Sequence, residues 1–275
     1  MLTVAYLGPE NTNTHIAAQV RFGRRNAYLH APTVDDVFHL VERRRAQFGV
    51  VPIENSLEGA VTHTLDRFID FVDTPVRIQG EIEQSIQHYL IIQPDVSLID
   101  IKEVCSHPQA LAQCAGWLGR RLPRVARLEV SSTADAVSSL QAAEHRRHRA
   151  AIGRKELAET YGFKAIAIPD TRENKTRFLI LGMGNPQKGR HHKTSILFAL
   201  KDKPGALHDA LVPFKRQRIN LTKIESRPSK RKAWEYLFFI DLEGHASEPR
   251  VKRALTTLER STSLLRILGS YPVTR

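Results

Sequence analysis

Cysteine is scarce in this chain, and the scarcity narrows its chemistry first. Only Cys105 and Cys114 occur among 275 residues. Two cysteines make neither a disulfide framework nor a structural zinc site, and both read as small buried hydrophobes. No apolar run approaches the length needed to cross a bilayer, so no membrane partner is expected. Met1-Leu2-Thr3-Val4 has neither a basic n-region nor an apolar h-region, which points to the cytoplasm. Metal-ligand spacings are missing. Gly182-Met183-Gly184 is too short, and lies outside any strand–helix unit, to cradle a dinucleotide. Neither a metal nor an organic cofactor is expected.

Charge is not scarce: 41 lysines and arginines oppose 29 acidic residues, a formal net charge of +12. The basic residues are dispersed, as in Arg43-Arg44-Arg45, Arg120-Arg121, Arg146-Arg147 and Lys230-Arg231-Lys232. No basic strand interleaved with aromatics is present, so nucleic acid is not the expected partner. A basic surface instead concentrates small anionic metabolites.

The first part of the chain alternates strand and helix, which predicts an α/β fold with parallel strands. Val4–Leu7, Ala27–His30, Phe48–Ile53 and Val76–Ile82 read as strands, the third entering a polar turn at Glu54-Asn55-Ser56 and then a helix from Gly59 to Phe71. Strands at His88–Ile92, Val104–Cys105, Val125–Val130, Ala150–Ile152 and Ala165–Ile168 are separated by helices from Pro108, Ser132 and Arg154. On the helix from Pro108, Leu111, Cys114, Ala115 and Leu118 share a stripe, leaving Gln109 and Gln113 free to face a cleft. Gly182 to Lys193 reads as a linker. Beyond it the order β-α-β-β-α-β, over Thr194 to Leu268, is ferredoxin-like.

Four polar runs carry the chemistry: Asn174-Lys175-Thr176-Arg177-Phe178, Val51-Pro52-Ile53-Glu54-Asn55-Ser56-Leu57-Glu58-Gly59, Ser106-His107-Pro108-Gln109-Ala110-Leu111 and Glu225-Ser226-Arg227-Pro228. Strand alternation puts Thr176 and Phe178 on one face, while Arg177 takes the other face or leans into a cleft. A hydroxyl beside a guanidinium suits a small dianion, offering a neutral donor for a leaving oxygen and a fork for a carboxylate. Arg177 equally suits a structural acid. Asn55 alone reads as a helix cap, and Ser106 suits both capping and binding. His107, before a proline, reads as structural, with general acid catalysis the sharper alternative.

Together, in this order, these runs resemble a prephenate dehydratase with a C-terminal ACT regulatory domain, from Tyr6-Leu7-Gly8-Pro9-Glu10 to Leu268-Gly269-Ser270-Tyr271-Pro272. The resemblance implies a two-lobed catalytic domain like a type 2 periplasmic binding protein over 1–182, followed by an α+β ferredoxin-like ACT domain over 194–275. Lobe one would take 1–80 and 170–182, lobe two 81–169, and 183–193 the linker. The implied reaction is decarboxylative dehydration of prephenate to phenylpyruvate, carbon dioxide and water in phenylalanine biosynthesis. The motifs then imply catalytic roles for Thr176, Asn55, Ser106 and Gln113, and substrate contacts from Arg177, Ser56, Thr12, Glu54 and Phe178. Phenylalanine would bind as allosteric effector at Gly205, Ala206, Leu207, Glu225, Ser226, Arg227 and Pro228, between ACT domains of a homodimer or homotetramer. No chorismate mutase segment is expected ahead of the first strand.

One departure stands out. The family usually reads Gly-Pro-(Glu/Lys)-Gly-Thr-Phe near its start, and here Asn11 and Asn13 replace the second glycine and the phenylalanine. Asn11 tolerates a left-handed turn, but Asn13 does not replace an aromatic ring. The alternatives are an arogenate dehydratase, whose substrate carries an amine in place of the ketone, and a non-catalytic amino-acid sensor.

Overall fold

A computed structural model describes residues 1–70, 74–142, 147–171, 174–184, 186, 189–201, 203–229 and 235–273. Phe71, Arg146, the 230–232 basic run, Trp234 and linker positions 185, 187 and 188 lie outside the described residues.

The chain begins with β1 (Thr3–Leu7), α1 (Asn13–Phe22), β2 (Ala27–Ala31), α2 (Val34–Glu42), β3 (Phe48–Asn55), β4 (Gly59–Ala60), α3 (Thr62–Asp70) and β5 (Val76–Ser85). The hydroxyls of Thr12 and Thr33 accept from the His15 and Asp36 amides and so cap α1 and α2. Val34, Val37, Phe38 and Val41 are all buried, as their helical spacing requires. The stretch after β3 differs from the sequence reading. The strand runs on through Asn55, and β4 folds back to pair Glu54 with Ala60 and Asn55 with Gly59. Gly59 serves a hairpin at φ 84° and does not pack a helix start, since a Cβ there would meet nothing within 4 Å. Asn55 and Ser56 therefore lack the helix N-terminus the sequence suggested for them.

The middle of the chain contributes β6 (Tyr89–Ile92), β7 (Glu103–Ser106), α4 (Pro108–Gln113), α5 (Ala115–Arg121), β8 (Ala126–Glu129), α6 (Thr133–Ser139), β9 (Arg149–Gly153), α7 (Lys155–Tyr161) and β10 (Lys164–Ala167). These strands form a second sheet in the order β10-β6-β9-β7-β8. The chain then returns through β11 (Lys175–Met183), which inserts between β3 and β5 to give the first sheet the order β2-β1-β3-β11-β5. β1 is parallel to β2 and β3, whereas β11 is antiparallel to both its neighbours. The sheet is thus mixed, not parallel throughout, because its last strand re-enters from the other lobe. β5 stays in the first sheet to Ser85, past the lobe boundary expected near residue 80.

The C-terminal unit is β12 (His192–Leu200), α8 (Ala206–Arg216), β13 (Leu221–Pro228), β14 (Tyr236–Glu243), α9 (Pro249–Ser261) and β15 (Thr262–Pro272), with sheet order β13-β14-β12-β15. Alternation divides its core in two. Ile196, Phe198, Ile240 and Leu242 face α8 and α9. Leu197, Ala199, Phe239 and Leu268 face the first lobe, where they join Ile53, Leu65, Phe68 and Ile78 in one apolar cluster. The approach is close enough to require glycine at position 269, where a Cβ would stand 2.3 Å from the Ile78 carbonyl oxygen. Among the described residues, no helix is long and apolar enough to cross a membrane.

Candidate active site

Between the two lobes lies a cleft of about 360 Å³, within the range of small-molecule sites. Its lining draws on Thr12, Asn13 and Thr14 at the start of α1, on Asn55, Thr176 and Phe178 from the first sheet, and on His88, His107, Gln109 and Gln113 from the second lobe. Register explains the floor. β11 pairs Thr176 with Asn55 and Arg177 with Glu54, so each pair projects from one face of the sheet. The first pair faces the cleft, the second the C-terminal domain.

At the floor, Asn55 Nδ2 donates to Thr176 Oγ1 at 2.9 Å and to Asn174 Oδ1 at 2.6 Å. Both hydrogens of that amide are thereby committed, and Asn55 Oδ1 accepts from the Leu57 amide at 2.9 Å. Asn174, 1% exposed, passes the network on by donating to Gln113 Oε1 at 2.9 Å. Gln113 Nε2 donates to Glu58 Oε1 at 2.6 Å, and Gln109 Nε2 donates to the other Glu58 oxygen. Gln113 thus bridges the lobes. Since the Thr176 oxygen accepts from Asn55, its own hydrogen is left to point into the cleft.

His88 completes the group. Its Nε2 lies 2.9 Å from Gln113 Oε1, which is an acceptor, so Nε2 carries the hydrogen. Burial lowers the His88 pKa below 6.5, and His15 is lowered for the same reason. The folded protein therefore refuses protons that the unfolded chain takes up. Stability should fall as pH drops from 6.5 towards the folded values, the direction required when the unfolded state binds more protons. Thermal melts between about pH 7.5 and pH 5 check this, with His88→Asn expected to show a shallower decline than wild type. An equal slope in both would remove His88 as a contributor.

The N-terminal loop accommodates its unusual residues differently. Asn11 adopts φ 62°, the left-handed turn available to asparagine, and its amide donates to His15 Nδ1 at 2.9 Å. His15 in turn stacks on Tyr6, ring centroids 4.4 Å apart. Asn13 turns its carbonyl towards the second lobe and accepts from Arg154 Nη1 at 2.8 Å.

Four of the expected residues go elsewhere. Arg177 is 8% exposed and faces away from the cleft, bound to Glu54 at 2.7 Å, Glu81 at 2.8 Å and Asp241 at 2.7 Å. Of the two roles the sequence allowed it, it takes the structural one, held by three carboxylates on the face away from the cleft. Burial alone would lower its pKa, but the carboxylates, Asp241 foremost, outweigh that and raise it. Glu54 pairs with Arg177 and, at 2.5 Å, with Lys223 of the C-terminal domain, which hold its pKa down although burial opposes them. Ser106 is fully buried and donates to the Ile152 carbonyl at 2.8 Å, stitching β7 to β9. Ser56 exchanges hydrogen bonds with the Lys175 backbone at 2.8 and 2.9 Å and locks the β3 hairpin to β11. His107 lines the cleft but uses Nδ1 to accept from the Gln109 amide, capping α4. His88 and Arg154 were missed in the sequence, where no local pattern marks them, and Glu58 stood in a motif without a role. Asn174 stood in a motif without a role.

The expected effector residues lie on the C-terminal domain. Gly205 has φ 78° and begins α8, and Leu207 beside it is 38% exposed. Glu225, Ser226, Arg227 and Pro228 end β13, an edge strand, with Ser226 and Pro228 exposed. Arg227 is committed to Asp66 of α3 through Nε at 3.1 Å and Nη2 at 3.0 Å, so it ties the domains together.

Comparison with known proteins gives this geometry a context. The family model for prephenate dehydratase matches residues 4–186, and that for the ACT domain matches residues 194–260. The chain is 46% identical to a bifunctional chorismate mutase/prephenate dehydratase of Aquifex aeolicus over 98% of its own length and 74% of that relative's. It is 42% identical to a prephenate dehydratase of Methanocaldococcus jannaschii, over 88% of this chain and 86% of the other. The crystal structure of a prephenate dehydratase from Arthrobacter aurescens in complex with L-Phe superposes with a TM-score of 0.89 at 34% identity, covering 99% of this chain and 90% of that one. A family model over more than half the chain, and close relatives along almost all of it, agree with the two-lobed cleft and the appended domain: the chain belongs to the prephenate dehydratase family and carries a C-terminal ACT domain.

Proposed function

We infer that this protein converts prephenate to phenylpyruvate, carbon dioxide and water, with Thr176 as the donor to the leaving hydroxyl. The observation that carries the reading is the Asn174–Asn55–Thr176 chain, which holds a threonine hydroxyl with its hydrogen free towards the cleft. In the reaction the bond between the ring and its carboxylate breaks and its electron pair enters the ring. The ring expels the hydroxyl from the opposite carbon and becomes aromatic. Aromatisation supplies the driving force, so no strong nucleophile is needed. The departing oxygen gathers negative charge and requires one proton to become water. A donor set in place beforehand favours that transition state without reorganisation. A threonine hydroxyl does not ionise near neutral pH, so Thr176 acts by hydrogen bonding and relays the proton from solvent.

Gln113 and Asn55 hold the floor, Phe178 and Val61 give the ring an apolar wall, and Thr12 offers a polar contact at the α1 start. Phenylalanine is the proposed effector, in keeping with the L-Phe complex of the Arthrobacter aurescens relative. Exposed Leu207 in the first turn of α8 and exposed Ile224 on the edge strand β13 suit pairing of two ACT domains in a homodimer or homotetramer. Two free, buried thiols suit a reducing compartment, and the cytoplasm is the proposed location.

Phenylpyruvate formation from prephenate, measured with and without phenylalanine, tests the reading. Turnover that phenylalanine suppresses supports both halves of it. Ligand-induced stabilisation without turnover of prephenate or arogenate would leave an amino-acid sensor as the better account.

A further inference from the structure

A substrate with two carboxylates needs a cation, yet no lysine or arginine lines the cleft among the described residues. Arg177, the guanidinium that the sequence offered, is spent on three carboxylates. Arg154 is hydrogen-bonded to the cleft wall. It follows Gly153 at the end of β9, precedes α7, and reaches across the lobes to Asn13, which does line the cleft. Its side chain is 14% exposed, and its Nη2 has no partner among the described residues. Its ion-pair partner, Glu156 at 3.3 Å from Nε, is 60% exposed, so water screens that attraction.

We propose that Arg154 determines substrate specificity by binding the carboxylate of the pyruvyl side chain, and that Asn13 positions its guanidinium. The proposal rests on the dehydratase reading and deepens it. Chemistry selects which carboxylate. The ring carboxylate must leave as carbon dioxide, and pairing it with a guanidinium would stabilise the ground state over the transition state. The pyruvyl carboxylate keeps its charge throughout, so a salt bridge to it strengthens binding uniformly and acts on KM more than on kcat. Asn13 fits this division of labour, because the phenylalanine usual at its position in the family has no oxygen to accept from Arg154. In arogenate an ammonium replaces the ketone next to that carboxylate, and it would lie against the guanidinium as a like charge.

Steady-state kinetics of wild type, Arg154→Ala, Arg154→Lys and Asn13→Ala on prephenate and arogenate test this. Arg154→Ala should raise KM for prephenate about 10- to 100-fold, with a smaller fall in kcat, as expected for one charge-assisted contact. Its preference for prephenate over arogenate should shrink. Arg154→Lys should recover part of the loss, and Asn13→Ala should show a milder rise in KM. Thermal melts establish that each variant is folded, and the lysine variant keeps the test alive if alanine is not tolerated. Wild-type turnover with unchanged KM and unchanged substrate preference in Arg154→Ala and Arg154→Lys overturns the proposal. Absence of wild-type turnover on prephenate overturns the dehydratase reading and this proposal with it.

Discussion

Replacing Thr176 with alanine is expected to lower kcat for prephenate about 10²–10³-fold, the loss associated with one pre-organised donor to a developing oxyanion. The substrate contacts that remain are made equally in ground and transition states, so KM should change much less. The fold should survive. Asn55 Nδ2 keeps Asn174 Oδ1 as acceptor at 2.6 Å, and β11 keeps its backbone pairing to β3 and β5. Thr176→Ser retains the hydroxyl and should recover most of the rate, less whatever the lost methyl contributes to holding the rotamer. Asn55→Ala removes the group that donates to the Thr176 oxygen and also strands Asn174, so kcat and stability should fall together. Initial rates of phenylpyruvate formation, with a thermal melt for each variant, separate these effects. An alanine variant that keeps wild-type kcat would move the donor role away from Thr176.

Arg177→Met should cost about 3–5 kcal/mol of stability, the usual result of removing one partner from a buried ionic group. Three cations, Arg177, Lys193 and Lys223, face three carboxylates, Glu54, Glu81 and Asp241, across the seam between the first lobe and the ACT domain. Asp241 also accepts from Ser195 Oγ at 2.5 Å. Deleting the guanidinium leaves the Asp241 carboxylate, which is 10% exposed, without its cation in a buried seam. Arg177 does not line the cleft, so KM for prephenate in the folded fraction should stay near wild type. That separates it from Arg154. Denaturant unfolding and KM, measured on the same preparation, give the answer. A raised KM with unchanged stability would return Arg177 to the substrate. The acid limb of stability should reflect the same network. The Glu54 pKa is held below its ordinary 4.5, so its contribution is present above that pH and lost as pH falls through the folded value. Stability should also decline when the seam is loosened from the other side by Asp241→Asn, which keeps the shape but removes the charge.

The same strand shows how far local pattern carries. Alternation alone put Thr176 and Phe178 together and Arg177 opposite, and the first two both line the cleft although the pairing with β3 shifts register after Arg177. What alternation does not contain is the identity of whatever covers the opposite face. The C-terminal sheet covers it, and that contact, between residues as far apart as Arg177 and Asp241, turned an apparent substrate ligand into an interdomain tie. Ser106 shows the converse. Its place before a helix invited a binding role, yet the neighbouring β9 carbonyl takes its hydrogen. The roles of Glu58, His88 and Arg154 were not legible, because each owes its role to a partner on the other lobe or on a distant element.

By itself the sequence determined most of the elements, the apolar stripes and the motifs of the dehydratase and ACT families, since each depends on residues close together in the chain. Only the tertiary structure decided which polar side chains meet. β11 returns from the second lobe to insert between β3 and β5, and this brings Asn174 and Thr176 against Asn55. The physical reason is range. Hydrophobic periodicity and capping act over a few residues and leave their mark on the sequence. A hydrogen bond or ion pair between distant segments depends on packing, which local pattern constrains but does not specify.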